Sequence, residues 1–220
     1  MKKIYVCNNT ITGIFSAIYD AWKEGREEKE CGIALKGMLE QELFCDYISV
    51  EESLHKEQAV EVLIKKHLGS QAYEDIWQAS LAADKDKADA IYGTMQAARR
   101  LRDSKKIMEH LSNPQVERVF ELSRKVGSEA HTYKGFLRFR ELSSGILYGS
   151  ITPKNWILTC IAPHFADRLP QENWLIHDKT HHMYAAHEVG KEWVLVENTR
   201  IQEERLEKMS ENEQLYASLW

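Results

Sequence analysis

The densest group of chemically capable side chains is the run Glu129-Ala130-His131-Thr132-Tyr133-Lys134-Gly135-Phe136-Leu137-Arg138-Phe139-Arg140, which packs a carboxylate, an imidazole, three cations and three aromatics into twelve residues. A helix carried through it sets His131, Lys134 and Arg138 at i, i+3 and i+7 on one face; a strand starting at Gly135 instead gives Arg138 and Arg140 a common face. Either way cations cluster. Guanidinium groups beside an imidazole suit phosphate, through charge-assisted and bidentate hydrogen bonds, and Phe136 and Phe139 offer π-faces to unpaired bases. The plainer reading buries the phenylalanines, pairs the arginines with Glu129 and Glu141, and leaves His131 to cap a helix end.

A second basic feature precedes it. If one helix runs from Asp84 or Asp86 through Ile91, Met95 and Ala98 to Lys106, then Arg99, Arg102 and Lys106 line one face and can rest against a phosphate backbone; a solvated charged face is the alternative. Residues 99 to 140 hold eleven Lys and Arg against five acids, so this stretch carries +6 and the remainder −11 of a net charge of −5. The overall acidity conceals a strong internal polarity.

The histidines His177, His181, His182 and His187 lie near Asp178 and Glu188. Zinc requires three or four donors converging on a point, and neither a helical H-x-x-x-H nor a close cysteine pair supports that. No metal and no cofactor are expected, and Asp178-Lys179-Thr180 reads as a turn between strands. Cys7, Cys31, Cys45 and Cys160 are too far apart for ribbon, redox or cluster motifs and read as buried thiols. The chain lacks G-x-G-x-x-G, G-x-x-x-x-G-K-[ST], G-x-S-x-G and C-x-x-x-C-x-x-C. Dinucleotide, P-loop, α/β-hydrolase and radical-SAM chemistry are therefore without their usual carriers.

The elements that must position these groups follow from periodicity. Ile4 to Cys7 reads as a strand, followed by a helix through Ile14, Phe15, Ile18, Ala21 and Trp22 that Thr12 caps and Gly25 stops before the charged loop Arg26 to Glu30. Leu43 to Val50 reads as a strand apolar on both faces, hence interior. His55 to about Tyr133 is helical. Val60, Leu63, Ile64 and His67 form one stripe ended by Gly69, and Asn113-Pro114 opens a helix in cap-then-proline order, with Val116, Val119, Phe120, Ser123, Val126 and Ala130 inward.

Phe136 to Leu142 and Ile146 to Thr152 read as strands joined by Ser143-Ser144-Gly145. Asn155 to Leu169 is helical, with Pro163 forcing a break or a fresh start. Trp174 to His177, Met183 to Glu188 and Glu192 to Glu197 read as strands, and the tail from Ser210 as a weak amphipathic helix.

The expected class is α+β: an N-terminal strand-helix unit, a helical middle, and a mostly antiparallel C-terminal sheet with one helix. At 220 residues, 43% hydrophobic, with 11 Gly and 4 Pro, the chain can bury a core and is not disordered or collagen-like. It reads as one domain over 1–220, or two packed halves, 1–133 mainly helical and 134–220 mainly sheet. No apolar run approaches the ~20 residues that span hydrocarbon, and Met1-Lys2-Lys3 precedes no signal-peptide core, so a cytoplasmic protein away from membranes is expected.

Three runs carry a family resemblance: Glu129-Ala130-His131 with Lys134 and Phe136-Leu137-Arg138-Phe139-Arg140-Glu141; Ile161-Ala162-Pro163-His164-Phe165-Ala166-Asp167-Arg168; and Trp174-Leu175-Ile176 before Asp178. With these the chain resembles a bacterial domain-of-unknown-function family described as a probable DNA metabolism protein. Members are encoded beside a putative radical-SAM DNA modification or repair protein, and the module also precedes uracil-DNA glycosylase-like domains. The turn Asn8-Asn9-Thr10-Ile11-Thr12-Gly13 departs from the Asp-Gly-Ser-rich turn of that family. The resemblance implies a DNA context and no reaction; glycosylase activity is not carried over.

The leading expectation is an accessory nucleic-acid-binding protein of bacterial DNA repair or modification, acting with a separate catalytic partner. DNA would be held by Arg99, Arg102, Lys106, Lys134, Arg138, Arg140 and Arg168. The alternative is an enzyme on a nucleic acid or nucleotide, with His131 or His164 as acid or base and Glu129 or Glu141 orienting it. A third reading is a protein-interaction module whose basic face meets an acidic partner.

Overall fold

The computed structural model describes residues 2–24, 30–40 and 43–197, which form an α+β protein of two compact units, Met1–Val126 and Gly127–Trp220. Gly25, most of the Arg26 to Glu30 loop and the tail from Ser210 lie outside the described residues. Among those residues no helix is long and apolar enough to cross a membrane.

The first unit is built on a parallel three-stranded sheet. Strand β1 (Lys2–Cys7) is followed by helix α1 (Ile11–Lys23) and then by β2 (Cys31–Leu35) and β3 (Cys45–Ser49), in the order β2-β1-β3. The α1 cap is Thr10, whose hydroxyl accepts from Gly13 N at 2.9 Å, not Thr12, whose hydroxyl donates to Glu57. Gly13 is required there, because a Cβ would stand 2.6 Å from the Asn8 carbonyl oxygen. The strand expected to be interior is an edge. β1 is central, and Leu43 and Phe44, whose apolarity suggested two buried faces, precede β3 at 86% and 83% exposure. Unanticipated β2 is almost wholly buried. Asp89 Oδ1 accepts from its Ile33 N at 3.0 Å, occupying a donor that an edge strand leaves open.

Helices α2 (Leu54–His67), α3 (Ser70–Ser80) and α4 (Lys87–Ala98) complete the layer. Gly69, at φ 91°, separates the first two, as the sequence suggests. The long helix expected through Lys106 ends at Ala98, followed by bends and a 3-10 turn over Ser104–Glu109. Asp103 caps that turn through Lys105 N, a local side-chain bond that competes with helix continuation. Arg99, Arg102 and Lys106 therefore do not share a helical face.

Helix α5 (Pro114–Phe136) opens as expected, with Asn113 Oδ1 accepting from Gln115 N at 2.9 Å. Val116, Val119, Leu122, Ser123 and Val126 are buried, and the Ser123 hydroxyl lies 3.0 Å from both Asp75 Oδ1 and Gln78 Oε1. Burial lifts the Cys7 thiol to about 12 and the Cys160 thiol to about 11, so both stay protonated and inert. Iodoacetamide at pH 8 is expected to leave these two cysteines unlabelled in the native protein and to label both after unfolding; peptide mass mapping reads this.

The second unit holds a five-stranded sheet in order β4-β5-β6-β7-β8: Arg140–Glu141, Leu147–Ile151, Trp174–Asp178, Met183–His187 and Val194–Glu197. All neighbours are antiparallel except β5 and β6, between which α6 (Leu158–Arg168) makes the crossover that a parallel pair needs. Two expectations need correction. α5 continues through exposed Gly135 to Phe136, leaving 137–139 irregular and β4 only two residues long. Pro163 neither breaks nor starts α6 but sits within it on an exposed face. The hairpin turn at Gly145 (φ 77°) is present.

Candidate nucleic-acid interface

The end of α5, the segment 137–139 and the start of the sheet enclose an open groove of about 1040 Å³ in the second unit. Phe136, Arg138 and Arg140 line it together with Tyr148, Ser150 and Lys179, and no carboxylate is among its lining residues. This arrangement has local causes. Gly149 lets the irregular segment press onto β5: a Cβ there would meet Leu137 Cδ1 at 3.0 Å and Phe139 Cδ1 at 3.4 Å. Pairing of Arg140 with Tyr148 brings the cation beside the ring, 5.1 Å from its centroid.

The two phenylalanines divide. Phe139 is half-buried and lines the groove with one edge held by Phe165, the two rings meeting edge-to-face with centroids 5.2 Å apart; Phe136 is 78% exposed there. An exposed phenylalanine beside cations resembles the stacking platforms used for single strands.

Lys179 is a groove residue that the sequence reasoning missed. It sits in the turn after β6, as the Asp178-Lys179-Thr180 pattern suggests. Asp178, 1% exposed, holds the turn by accepting from Thr180 N (3.0 Å) and His181 N (3.1 Å) on one oxygen and from His181 Nδ1 (2.6 Å) on the other. Lys179 reaches the groove because β5 and β6 pair with Ile151 opposite Asp178, and Lys179 N donates to Ile151 O at 3.0 Å. Only this non-local register brings Lys179 to Arg138 and Arg140. Tyr148 and Ser150 were missed likewise, though their alternation along β5 was available in the sequence.

The remaining candidates are placed as follows. Lys134 is half-buried on α5 and Arg168 is exposed in the last turn of α6; neither lines the groove. His131 is exposed on α5. His164 is half-buried against Phe165, with centroids 5.1 Å apart. Arg99, Arg102 and Lys106 belong to the first unit: Arg99 lies over the Trp22 ring, 4.9 Å from its centroid, and the other two are exposed. Elsewhere in the basic stretch, Arg118 pairs with Asp84 and Glu121, and Lys125 with Glu121. Among the described residues no carboxylate pairs with Arg138 or Lys179.

Glu129 neither pairs with the arginines nor orients His131. Its carboxylate accepts from Lys154 N (2.7 Å), Asn155 N (3.0 Å) and Asn155 Nδ2 (2.7 Å), pinning the loop before α6 to α5. Asn155 is 7% exposed, so removing the acceptor strands buried donors. Glu129→Ala is expected to cost about 3 kcal/mol and His131→Ala less than about 0.5 kcal/mol, read by chemical denaturation.

Three of the four clustered histidines have separate commitments, and the fourth, His182, is exposed. His177 stacks on Tyr184 at 4.2 Å, and its Nδ1 and the Tyr148 hydroxyl are hydrogen-bonded at 2.9 Å. His187 stacks on Trp174 at 5.3 Å and donates from Nδ1 to Glu172 O, and His181 lies against Trp156. Among the described residues no three His, Cys, Asp or Glu side chains converge as a metal site.

No curated protein matches the chain. The family model of a domain of unknown function, DUF4130, matches residues 85–220, a span that holds the whole groove. Since that match covers more than half the sequence, the chain belongs to the DUF4130 family.

Proposed function

We propose that the protein is an accessory nucleic-acid-binding protein of bacterial DNA repair or modification, cytoplasmic and acting with a separate catalytic partner. The observation that carries this reading is the groove itself: three cations, an exposed phenylalanine and no carboxylate in its lining. Phosphates of a single strand sit against Arg138, Arg140 and Lys179, and an unpaired base stacks on Phe136. The DNA context and the radical-SAM partner come from the resemblance of the 129–141, 161–168 and 174–178 runs. The acid–base reading of His131 gains no support, because its nearest candidate carboxylate in sequence, Glu129, is committed to the 154–155 backbone.

Fluorescence anisotropy with a labelled twelve-nucleotide single strand at ~50 mM salt tests the reading. Binding is expected, weakening steeply with salt as counterion release demands, and falling about tenfold in Phe136→Ala, since base–aromatic stacking is worth ~1–3 kcal/mol. No binding at that salt, or equal binding by the variant, contradicts it. Co-purification with the radical-SAM protein with and without nuclease separates DNA-bridged association from an acidic protein partner.

A further inference from the structure

The first unit has a second cavity, of about 300 Å³, whose chemistry differs from that of the groove. Its floor is apolar: Leu68, Met95 and Ala98 line it at 5%, 1% and 1% exposure, and Trp22 supplies a flat wall. Its polar lining is short. The Ser104 hydroxyl is spent on the His67 carbonyl at 2.7 Å, which ties the 3-10 turn to the end of α2 and leaves the Arg99 guanidinium and the His67 ring as the polar groups at the rim. Arg99 lies over Trp22, no acid is among the lining residues, and no carboxylate among the described residues pairs with this guanidinium. A cavity at the small end of the ligand-site range, with an apolar floor and one cation held over Trp22 at its edge, has a defined complement.

We propose that this cavity binds a small amphipathic anion: a flat apolar body of roughly ten to fifteen non-hydrogen atoms bearing one carboxylate or phosphate. The body lies against Leu68, Met95, Ala98 and the indole, and the anionic group meets Arg99. The chemistry of the lining selects both parts. A neutral body forgoes the guanidinium, and a small inorganic anion leaves the apolar floor uncovered. This assignment is independent of nucleic-acid binding in the second unit.

The test is an NMR titration of the full-length ¹⁵N-labelled protein, following the indole N–H of Trp22, which Trp22→Phe identifies. The probes are 2-naphthoate, 2-naphthyl phosphate and the neutral 2-naphthamide. A saturable shift is expected with at least one anion, at least tenfold tighter than with the amide, and the tighter anion names the headgroup. Arg99→Gln, a surface change, should weaken anion binding at least tenfold and leave the amide unaffected. Leu63→Trp, which fills the cavity from its half-exposed wall, should abolish all binding, whereas Arg138→Ala should change none of it. Absence of a saturable shift, equal affinity for anion and amide, or an Arg99→Gln protein that binds like the parent overturns the assignment.

Discussion

Arg138→Ala combined with Arg140→Ala is expected to lower affinity for a single-stranded oligonucleotide about a hundredfold at ~50 mM salt, roughly tenfold for each guanidinium removed from a phosphate. The salt dependence is the sharper readout. Three phosphates neutralised by Arg138, Arg140 and Lys179 give a slope of log affinity against log salt of about −2, and Lys179 alone gives about −0.7. Lys134→Ala and Arg168→Ala, outside the groove, should change affinity by less than about threefold, since screening weakens charges that touch no phosphate. All four of these substituted cations belong to the runs that carry the family resemblance, so only their position relative to the groove separates them. Equal losses from all four would mean that net charge rather than the groove governs binding.

Lys87→Met is expected to stabilise the protein at pH 7, against the usual direction of core substitutions. Lys87 is 1% exposed at the start of α4, its ammonium donating to Ala82 O at 2.8 Å. Burial lowers its pKa from 10.5 to about 8, only partly offset by Asp84 and Cys7. Below pH 8 both folded and unfolded chains carry the charge, so the folded state bears the whole burial penalty, on the order of 3 kcal/mol. Between pH 8 and 10.5 the unfolded chain retains a proton that the folded chain has released, and the lysine's contribution to stability rises with pH. The raised Cys7 and Cys160 thiols work oppositely above pH 9, their ordinary value, because the unfolded thiols ionise first. Urea titrations at pH 8 and 9 should therefore show the parent gaining about 1 kcal/mol relative to Lys87→Met. A destabilised Met variant with no such relative gain would mean that the Ala82 hydrogen bond outweighs desolvation.

What could be read from the sequence was local. Asn113-Pro114 states its helix start in two adjacent residues, and Ser143-Ser144-Gly145 states its turn; both elements stand where the pattern puts them. Strand β2 was illegible because Gly32 and Ala34 interrupt the β-branched character that marks a strand. Its burial comes from β1 and α4, and Gly32 is needed where a Cβ would press on Ile4 and Asp89. Gly135 suggested a change of period but only rides an exposed helical turn, where its cost is small enough for neighbouring packing to override.

The groove was half legible for the same reason. Arg138 and Arg140 lie close together in the chain, so their clustering is visible without a fold. Packing Phe139 on Phe165 while Phe136 stays exposed is set by α6, and recruiting Lys179 depends on the β5–β6 register. These are tertiary facts that no short window contains. The supposed row of Arg99, Arg102 and Lys106 failed because a capped turn at Asp103 replaced the helix that would have aligned them.

The most direct measurement is photo-crosslinking of the full-length protein to a single strand carrying 5-iodouracil, with mass-spectrometric mapping of the joined peptides. Binding in the groove, with a base on Phe136 and phosphates on Arg138, Arg140 and Lys179, predicts crosslinks confined to peptides covering 132–140, 148–150 and 179, and abolished in Phe136→Ala. Crosslinks concentrated elsewhere on the protein, and unchanged in that variant, would contradict it.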